Sequence, residues 1–159
     1  MEDISFDAIM LGDDERKEVA ETRGVPLADV PRLLAVDYDV VVPVNKTVRV
    51  LVTAADVIHA FAVPAFGVKV DAVPGRMNET WFRARETGIY YGQCSELCGK
   101  DHAFMPIGVR VVTQEQYDAW VEAAKEDVDV ANEQLMAAIA ADRKVAEAAS
   151  GEDMTVAAR

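Results

Sequence analysis

Cys94-Ser95-Glu96-Leu97-Cys98-Gly99-Lys100-Asp101-His102-Ala103-Phe104-Met105 packs four soft or borderline metal ligands into one short stretch. Together with His59 upstream, it accounts for every cysteine and every histidine of the chain. Thiolate, imidazole and thioether form the ligand set that selects copper for electron transfer. A chain that concentrates its sulfur and imidazole in this way reads as one built around a metal.

The spacing refines that reading. A mononuclear blue-copper site takes one thiolate, two imidazoles and a weak axial Met. Here a second thiolate, Cys98, follows Cys94 four residues later, whereas zinc sites more usually show Cys-x-x-Cys. Two cysteines, two histidines and one methionine satisfy two coppers if both sulfurs bridge them. Each copper then holds two thiolates and one imidazole, with a thioether or a backbone carbonyl as a weak further contact. Sharing one electron hole over such a core spreads the bond-length changes of redox over many bonds, which suits repeated one-electron transfer. Blander readings exist for each residue alone. Cys94 and Cys98 are compatible with a disulfide in an acidic secreted domain, His59 with a core histidine, and Met105 with core filler. Phe104 and Ile107 read as core residues. The register of all five ligands favours the metal.

Four separated blocks carry a family resemblance: Asp56-Val57-Ile58-His59-Ala60, Lys69-Val70-Asp71-Ala72-Val73-Pro74-Gly75-Arg76, Tyr91-Gly92-Gln93-Cys94-Ser95-Glu96-Leu97-Cys98-Gly99, and His102-Ala103-Phe104-Met105-Pro106. In sequence and order they resemble subunit II of cytochrome c oxidase, whose water-exposed domain holds the dinuclear CuA centre. The resemblance runs from about Ile4 to about Trp120. It implies that Cys94 and Cys98 are bridging thiolates, with His59 and Met105 completing one copper. His102 and the backbone carbonyl of Glu96 would complete the other. It also implies a magnesium ion on the Glu96 carboxylate at the border with subunit I, and places Asp71 and Arg76 in the segment facing that border.

The function so implied is electron relay within a proton-translocating cytochrome-c oxidase. Electrons enter from cytochrome c and leave toward the haem of subunit I by way of His102, while oxygen reduction belongs to subunit I. No residue of this chain is expected to be catalytic in its own right. The family faces the bacterial periplasm or the mitochondrial intermembrane space. Family members begin with two transmembrane helices and an aromatic-rich strand, which precede the point corresponding to Ile4. The expectation is either a soluble fragment or a membrane hairpin supplied by a separate chain. Other classes remain open: the CuA domain of a nitrous oxide reductase, a copper-delivery protein, or a metal-free module closed by a disulfide.

Charge and composition bound the partners. The chain has 159 residues, enough for one domain with a sizeable core and appendages. Its net charge of −12 argues against nucleic acid, whose phosphates require a basic surface. It suits a basic protein such as cytochrome c, steered by acidic surfaces and sensitive to salt. The resemblance places Asp3, Asp7, Asp37, Asp56 and Glu96 near that docking face. Other oxidase subunits are the remaining partners. No uninterrupted apolar run is long enough for a bilayer span.

Valine alternation and regular Gly/Pro punctuation predict strands near 40–44, 47–53, 58–63, 68–73, 79–85, 89–93 and 107–113. Pro43 points to an edge strand. The fold class is all-β: a Greek-key β-sandwich or barrel, cupredoxin-like by resemblance, with a C-terminal α-helical extension. The expected organisation is a CuA domain over 1–113 and a C-terminal helix over 114–150, its first turns packed on the domain. Residues 12–30 would form an acidic insert loop, its stretch from Asp13 to Glu21 a mobile loop or a short helix, and 151–159 a disordered tail. Thr113-Gln114-Glu115-Gln116 reads as a capping box, and Asp127-Val128-Asp129 as a break in the helix.

Overall fold

A computed structural model describes residues 4–156, with the backbone alone for 149–156. The valine-rich alternation produces seven strands among the described residues: β1 (Val40–Pro43), β2 (Val48–Val52), β3 (His59–Val63), β4 (Val68–Ala72), β5 (Asn78–Phe82), β6 (Gly88–Gln93) and β7 (Pro106–Val112). They pair as a three-stranded sheet, β1-β7-β6, and two antiparallel ribbons, β2-β5 and β3-β4. β1 lies parallel to β7 at the edge of its sheet, so Pro43 removes no ladder bond from a central strand. β6 and β7 run antiparallel with Gln93 opposite Pro106. The ligand-rich stretch is therefore the connection between two strands that are locked at its neck.

The core gathers the inward residues of these strands, among them Val42, Val63, Val68, Phe82, Val109 and Val111. Val63 and Val109 are fully shielded at 0% exposure, each contributing on the order of 2 kcal/mol of apolar burial. Phe66 stacks on Phe82 with ring centroids 4.3 Å apart. Gly92 is required where β6 crosses β3. A Cβ there would overlap the Ala62 carbonyl oxygen and lie 2.9 Å from Val63 Cγ2. Because the first obstacle is backbone, side-chain rotation offers no relief. Gly92→Ala is expected to cost on the order of 3 kcal/mol, the upper range for overpacking, read as a fall in the urea midpoint of the metal-free chain.

Of the two forms open to the acidic insert, loop or short helix, it takes the helix. Asp13–Arg23 forms α1, because its acids occupy the first turn and Arg23 the last, matching the helix dipole. The Glu15 carboxylate accepts from the Gly12 N–H at 2.7 Å, and Gly24 closes the helix at φ 60°. Arg16 then donates from Nε and Nη2 to the Val30 carbonyl at 2.8 and 2.7 Å. Leu11, Ala20, Val30 and Ala35 form a small core of their own beneath it.

One ion pair is enclosed by this scaffold. Asp39 Oδ2 accepts from Arg110 Nε and Nη2 at 2.8 and 2.5 Å. Asp39 is the single buried charged residue among those described. Arg23 approaches the pair from α1, half-buried, and burial followed by repulsion from Arg110 lowers its pKa. Burial and then Asp39 raise that of Tyr91.

The chain divides by contacts into Ser5–Tyr117 and a unit containing the residues from Asp118 onward. The expected capping box is present: Thr113 Oγ1 accepts from the Gln116 N–H at 3.2 Å, and Gln116 Oε1 accepts from the Thr113 N–H at 3.1 Å. It opens α2 (Gln114–Ala124), and α3 follows over Val128–Val156. The break falls where expected, with Asp127 Oδ1 accepting from the Asp129 and Val130 N–H groups at 2.9 and 3.1 Å. Trp120 Nε1 donates to Asn132 Oδ1 at 2.9 Å, tying the two helices together. Helix continues past Gly151 to Val156, where the sequence suggests a disordered tail, because propagation adds a bond for each residue fixed. Residues 157–159 of that expected tail lie outside the described residues. No described helix is long and apolar enough to cross a membrane.

Candidate metal centre

Three of the five candidate side chains sit at strand ends, while Cys98 and His102 lie in the connection between β6 and β7. His59 opens β3, Cys94 follows β6, and Met105 precedes β7. The neck is closed by the Cys94 N–H donating to the Met105 carbonyl at 2.9 Å. Rigid strands thereby aim side chains that a free loop would scatter.

The sulfur and nitrogen atoms form a continuous row. His59 Nδ1 lies 3.9 Å from Cys94 Sγ, Cys94 Sγ 3.8 Å from Cys98 Sγ, and Cys98 Sγ 3.5 Å from His102 Nδ1. Met105 Sδ is 3.4 Å from Cys98 Sγ, and the Glu96 carbonyl oxygen 3.3 Å from Cys94 Sγ. His59 Nδ1, Cys94 Sγ and Cys98 Sγ fall within 4.8 Å of one another. Both cysteines are free thiols, since 3.8 Å far exceeds the ~2.05 Å disulfide bond. The same separation lets both sulfurs reach shared metal ions through bonds of about 2.3 Å. Soft donors at the centre with an imidazole at either end match copper.

Electrostatics distinguish the two thiols. Burial acts against the Cys94 thiolate, but backbone groups of Glu96 and Ala60, with His59 and His102, outweigh it and bring the thiol down to about 6. Burial and the neighbouring Cys94 push the Cys98 thiol up. Asp56 lies on the far side of His59, with Oδ1 2.8 Å from Nε2. That contact, working against burial, raises the His59 pKa and lowers that of Asp56. It also leaves Nδ1 facing sulfur, the usual outer-shell arrangement for a metal-ligating imidazole. Asp56→Ala is expected to lower the His59 midpoint in the metal-free chain, measured from its ring protons by NMR. A raised midpoint stabilises the fold below the ordinary histidine range, and that contribution disappears as pH rises through the raised value.

The remaining site candidates separate into several environments. Glu96 Oε2 is 3.5 Å from Lys69 Nζ, which is also 3.8 Å from Asp71 Oδ1. Arg76 is exposed in the turn between β4 and β5, its N–H donating to the Val73 carbonyl at 3.1 Å. Asp7 is exposed. Asp37 accepts the Ile9 and Tyr38 N–H groups at 2.7 and 2.8 Å, so its carboxylate anchors the N-terminal segment. Asp3 lies outside the described residues. Phe104 is 50% exposed rather than core, because it rides on the loop while Ile107 has already entered β7 against the core. An apolar cavity of about 430 Å³ borders His59, Cys94 and Met105 and is walled by Ile9, Phe61 and Ile107. Sequence reasoning gave Lys69 no role, although its position two residues from Asp71 on a strand puts both on one face.

Residues 1–112 match the family model described as the periplasmic domain of cytochrome c oxidase subunit II. A probable cytochrome c oxidase subunit 2 from Rickettsia bellii is 55% identical over 119 residues, covering 75% of this chain and 40% of that protein. Cytochrome c oxidase subunit 2 of Cereibacter sphaeroides is 54% identical over 132 residues, 78% of this chain and 44% of that one. The chain thus spans about two fifths of the length of these curated relatives. The crystal structure of the periplasmic domain of subunit II of cytochrome oxidase from Bradyrhizobium japonicum has a TM-score of 0.68 at 57% identity, covering 80% of this chain and 81% of that one. A mixed-disulfide intermediate between a thioredoxin-like protein and subunit II of cytochrome c oxidase gives a TM-score of 0.62 at 56% identity, covering 80% and 79%. The expected cupredoxin-like β fold with C-terminal helices is thereby established. By its matched length, its identity to these relatives and its shared fold, the chain belongs to the cytochrome c oxidase subunit II family, in the part that forms the periplasmic domain.

Proposed function

We propose that this chain is the electron-entry domain of a haem-copper respiratory oxidase, taking electrons from cytochrome c and passing them to the haem of subunit I. The carrying observation is the pair of sulfurs 3.8 Å apart, each faced by an imidazole Nδ1 on its outer side. Cys94 and Cys98 would bridge two coppers, with His59 and Met105 on one and His102 and the Glu96 carbonyl on the other. When bound, such a pair supplies a one-electron carrier with a small reorganisation cost.

The chain's own residues do the rest. The β6–β7 neck holds Cys94 in place, and Asp56 orients His59. Apolar side chains of Ile9, Phe61 and Ile107 line the cavity beside His59, and His102 provides the exit side. Asp7 and Asp56 offer exposed carboxylates to a basic donor, while Asp37 and Glu96 are partly engaged by Ile9, Tyr38 and Lys69. The Glu96 carboxylate would hold a magnesium ion at the subunit I border, with Asp71 and Arg76 in the segment facing that border and Lys69 bridging Glu96 and Asp71. The domain would face the periplasm, against subunit I and other oxidase subunits. The relative's mixed disulfide with a thioredoxin-like protein supports a similar exchange here, keeping Cys94 and Cys98 reduced before loading.

An EPR spectrum of the oxidised, copper-loaded chain tests the centre. A seven-line hyperfine pattern is expected from one electron shared by two copper nuclei. A four-line pattern with one copper per chain would reject it.

A further inference from the structure

Away from the metal loop, the outer face of the β2–β5 ribbon carries large apolar side chains in open solvent. Leu51 is 51% exposed, Met77 60% and Trp81 68%. Leu51 and Trp81 share a face through the register of the ribbon and the two-residue alternation of each strand, Met77 lies just before β5, and Val52 and Phe82 point inward. Register sets Arg49 opposite Trp81 and Leu51 opposite Glu79. Arg49 and Glu79 then pair across the diagonal at 2.7 Å, so their charges cancel on the face.

The alternation continues past β5, with Ala84 buried between exposed Arg83 and Arg85. The Asn45 N–H still bonds the Ala84 carbonyl at 2.8 Å, keeping this stretch extended. Arg83 and Arg85 have no ion-pair partner among the described residues. They border a recess of about 280 Å³ walled by Phe66 and Tyr90, whose rings lie 4.8 Å apart. Glu86 also lines that recess, so beside the exposed tryptophan two guanidinium groups face one carboxylate, a local positive excess on a chain of net charge −12.

We propose that this face docks an acidic segment of another polypeptide, its carboxylates meeting Arg83 and Arg85 and an apolar side chain covering Trp81. Aromatic residues, Met and Arg are the types enriched at interface centres, and guanidinium matches carboxylate bidentately. The charge selects among occupants. A basic donor protein is repelled here, two copies at −12 repel each other, and the same charge opposes an anionic lipid surface. An acidic segment feels the same long-range repulsion, but unlike a whole second copy or a lipid surface it brings few charges, and these meet the local excess of Arg83 and Arg85 over Glu86.

The inference rests on the oxidase reading for the assembly in which it is tested. Trp81 is replaced by the photo-cross-linker p-benzoylphenylalanine, native membranes are irradiated, and adducts are mapped by mass spectrometry. The expected product joins position 81 to an Asp/Glu-bearing segment of a different polypeptide. Arg83→Glu combined with Arg85→Glu should lower its yield about tenfold, as loss of roughly one decade in affinity would. An adduct to lipid, to cytochrome c, to a second copy or to the same chain would overturn the proposal, as would no adduct. Irradiation precedes solubilisation, so the adduct is read whether or not the chain purifies with an oxidase. Failure to co-purify counts against the oxidase reading alone.

Discussion

Replacing Cys94 with serine is expected to abolish the two-copper centre, leaving at most one copper per chain and no shared-spin signal. Cys94 touches three other groups of the site, with Cys98 Sγ at 3.8 Å, His59 Nδ1 at 3.9 Å and the Glu96 carbonyl at 3.3 Å. Its thiol is brought down to about 6 by backbone groups and the two histidines acting against burial, so a thiolate is available at neutral pH. A serine hydroxyl in the same place stays protonated and presents a harder oxygen, a poor bridge for copper. Loss of outer-shell partners alone costs roughly 10- to 100-fold in metal affinity, so removing a bridging ligand should exceed that range. Copper stoichiometry after dialysis against a chelator measures it. Retention of two coppers by Cys94→Ser would remove Cys94 from the bridging role. The fold should persist, because the neck bond from the Cys94 N–H to the Met105 carbonyl is backbone.

Asp39→Ala is expected to produce the largest loss of stability without touching the site. The mutation leaves Arg110, 13% exposed at its side chain, without its carboxylate in an apolar setting beside the half-buried Arg23. Breaking a buried pair by removing one partner costs about 3–5 kcal/mol, whereas replacing both with apolar groups is often neutral. The thermal midpoint of the metal-free chain should fall by about 10 °C. Asp39→Ala with Arg110→Met should recover most of that loss. Equal midpoints for single and double variants would show that the cost lies in packing against Gly108, whose site adjoins the Asp39 carboxylate, rather than in the unpaired charge.

Legibility differed by element. The strands were readable because Val48-Arg49-Val50-Leu51-Val52 alternates at the period of a pleated strand, and the structure keeps that alternation in its burial. Turn residues bounded the others within a few positions. The capping box at Thr113 and the break at Asp127 were readable because caps are local hydrogen bonds between near neighbours. The insert was not. Its residues suit either a solvated loop or a helix, and the choice rests on Leu11, Val30 and Ala35 closing over Ala20, contacts that no local pattern announces. Phe104 misled for the opposite reason: an apolar residue near a strand start reads as core, yet the loop carries it outward.

Local chemistry was determined by sequence alone. Short-range spacing places Cys94, Cys98, His102 and Met105 in one loop, and their donor types favour a soft metal such as copper. Tertiary structure decided what arrives from a distance. His59 reaches Cys94 across 35 positions, and Arg110 reaches Asp39 across 71. Strand pairing sets those meetings, through register and loop closure. It also decided that Asp37 serves the backbone while Asp56 serves an imidazole, since one carboxylate looks like another until its neighbours are in place.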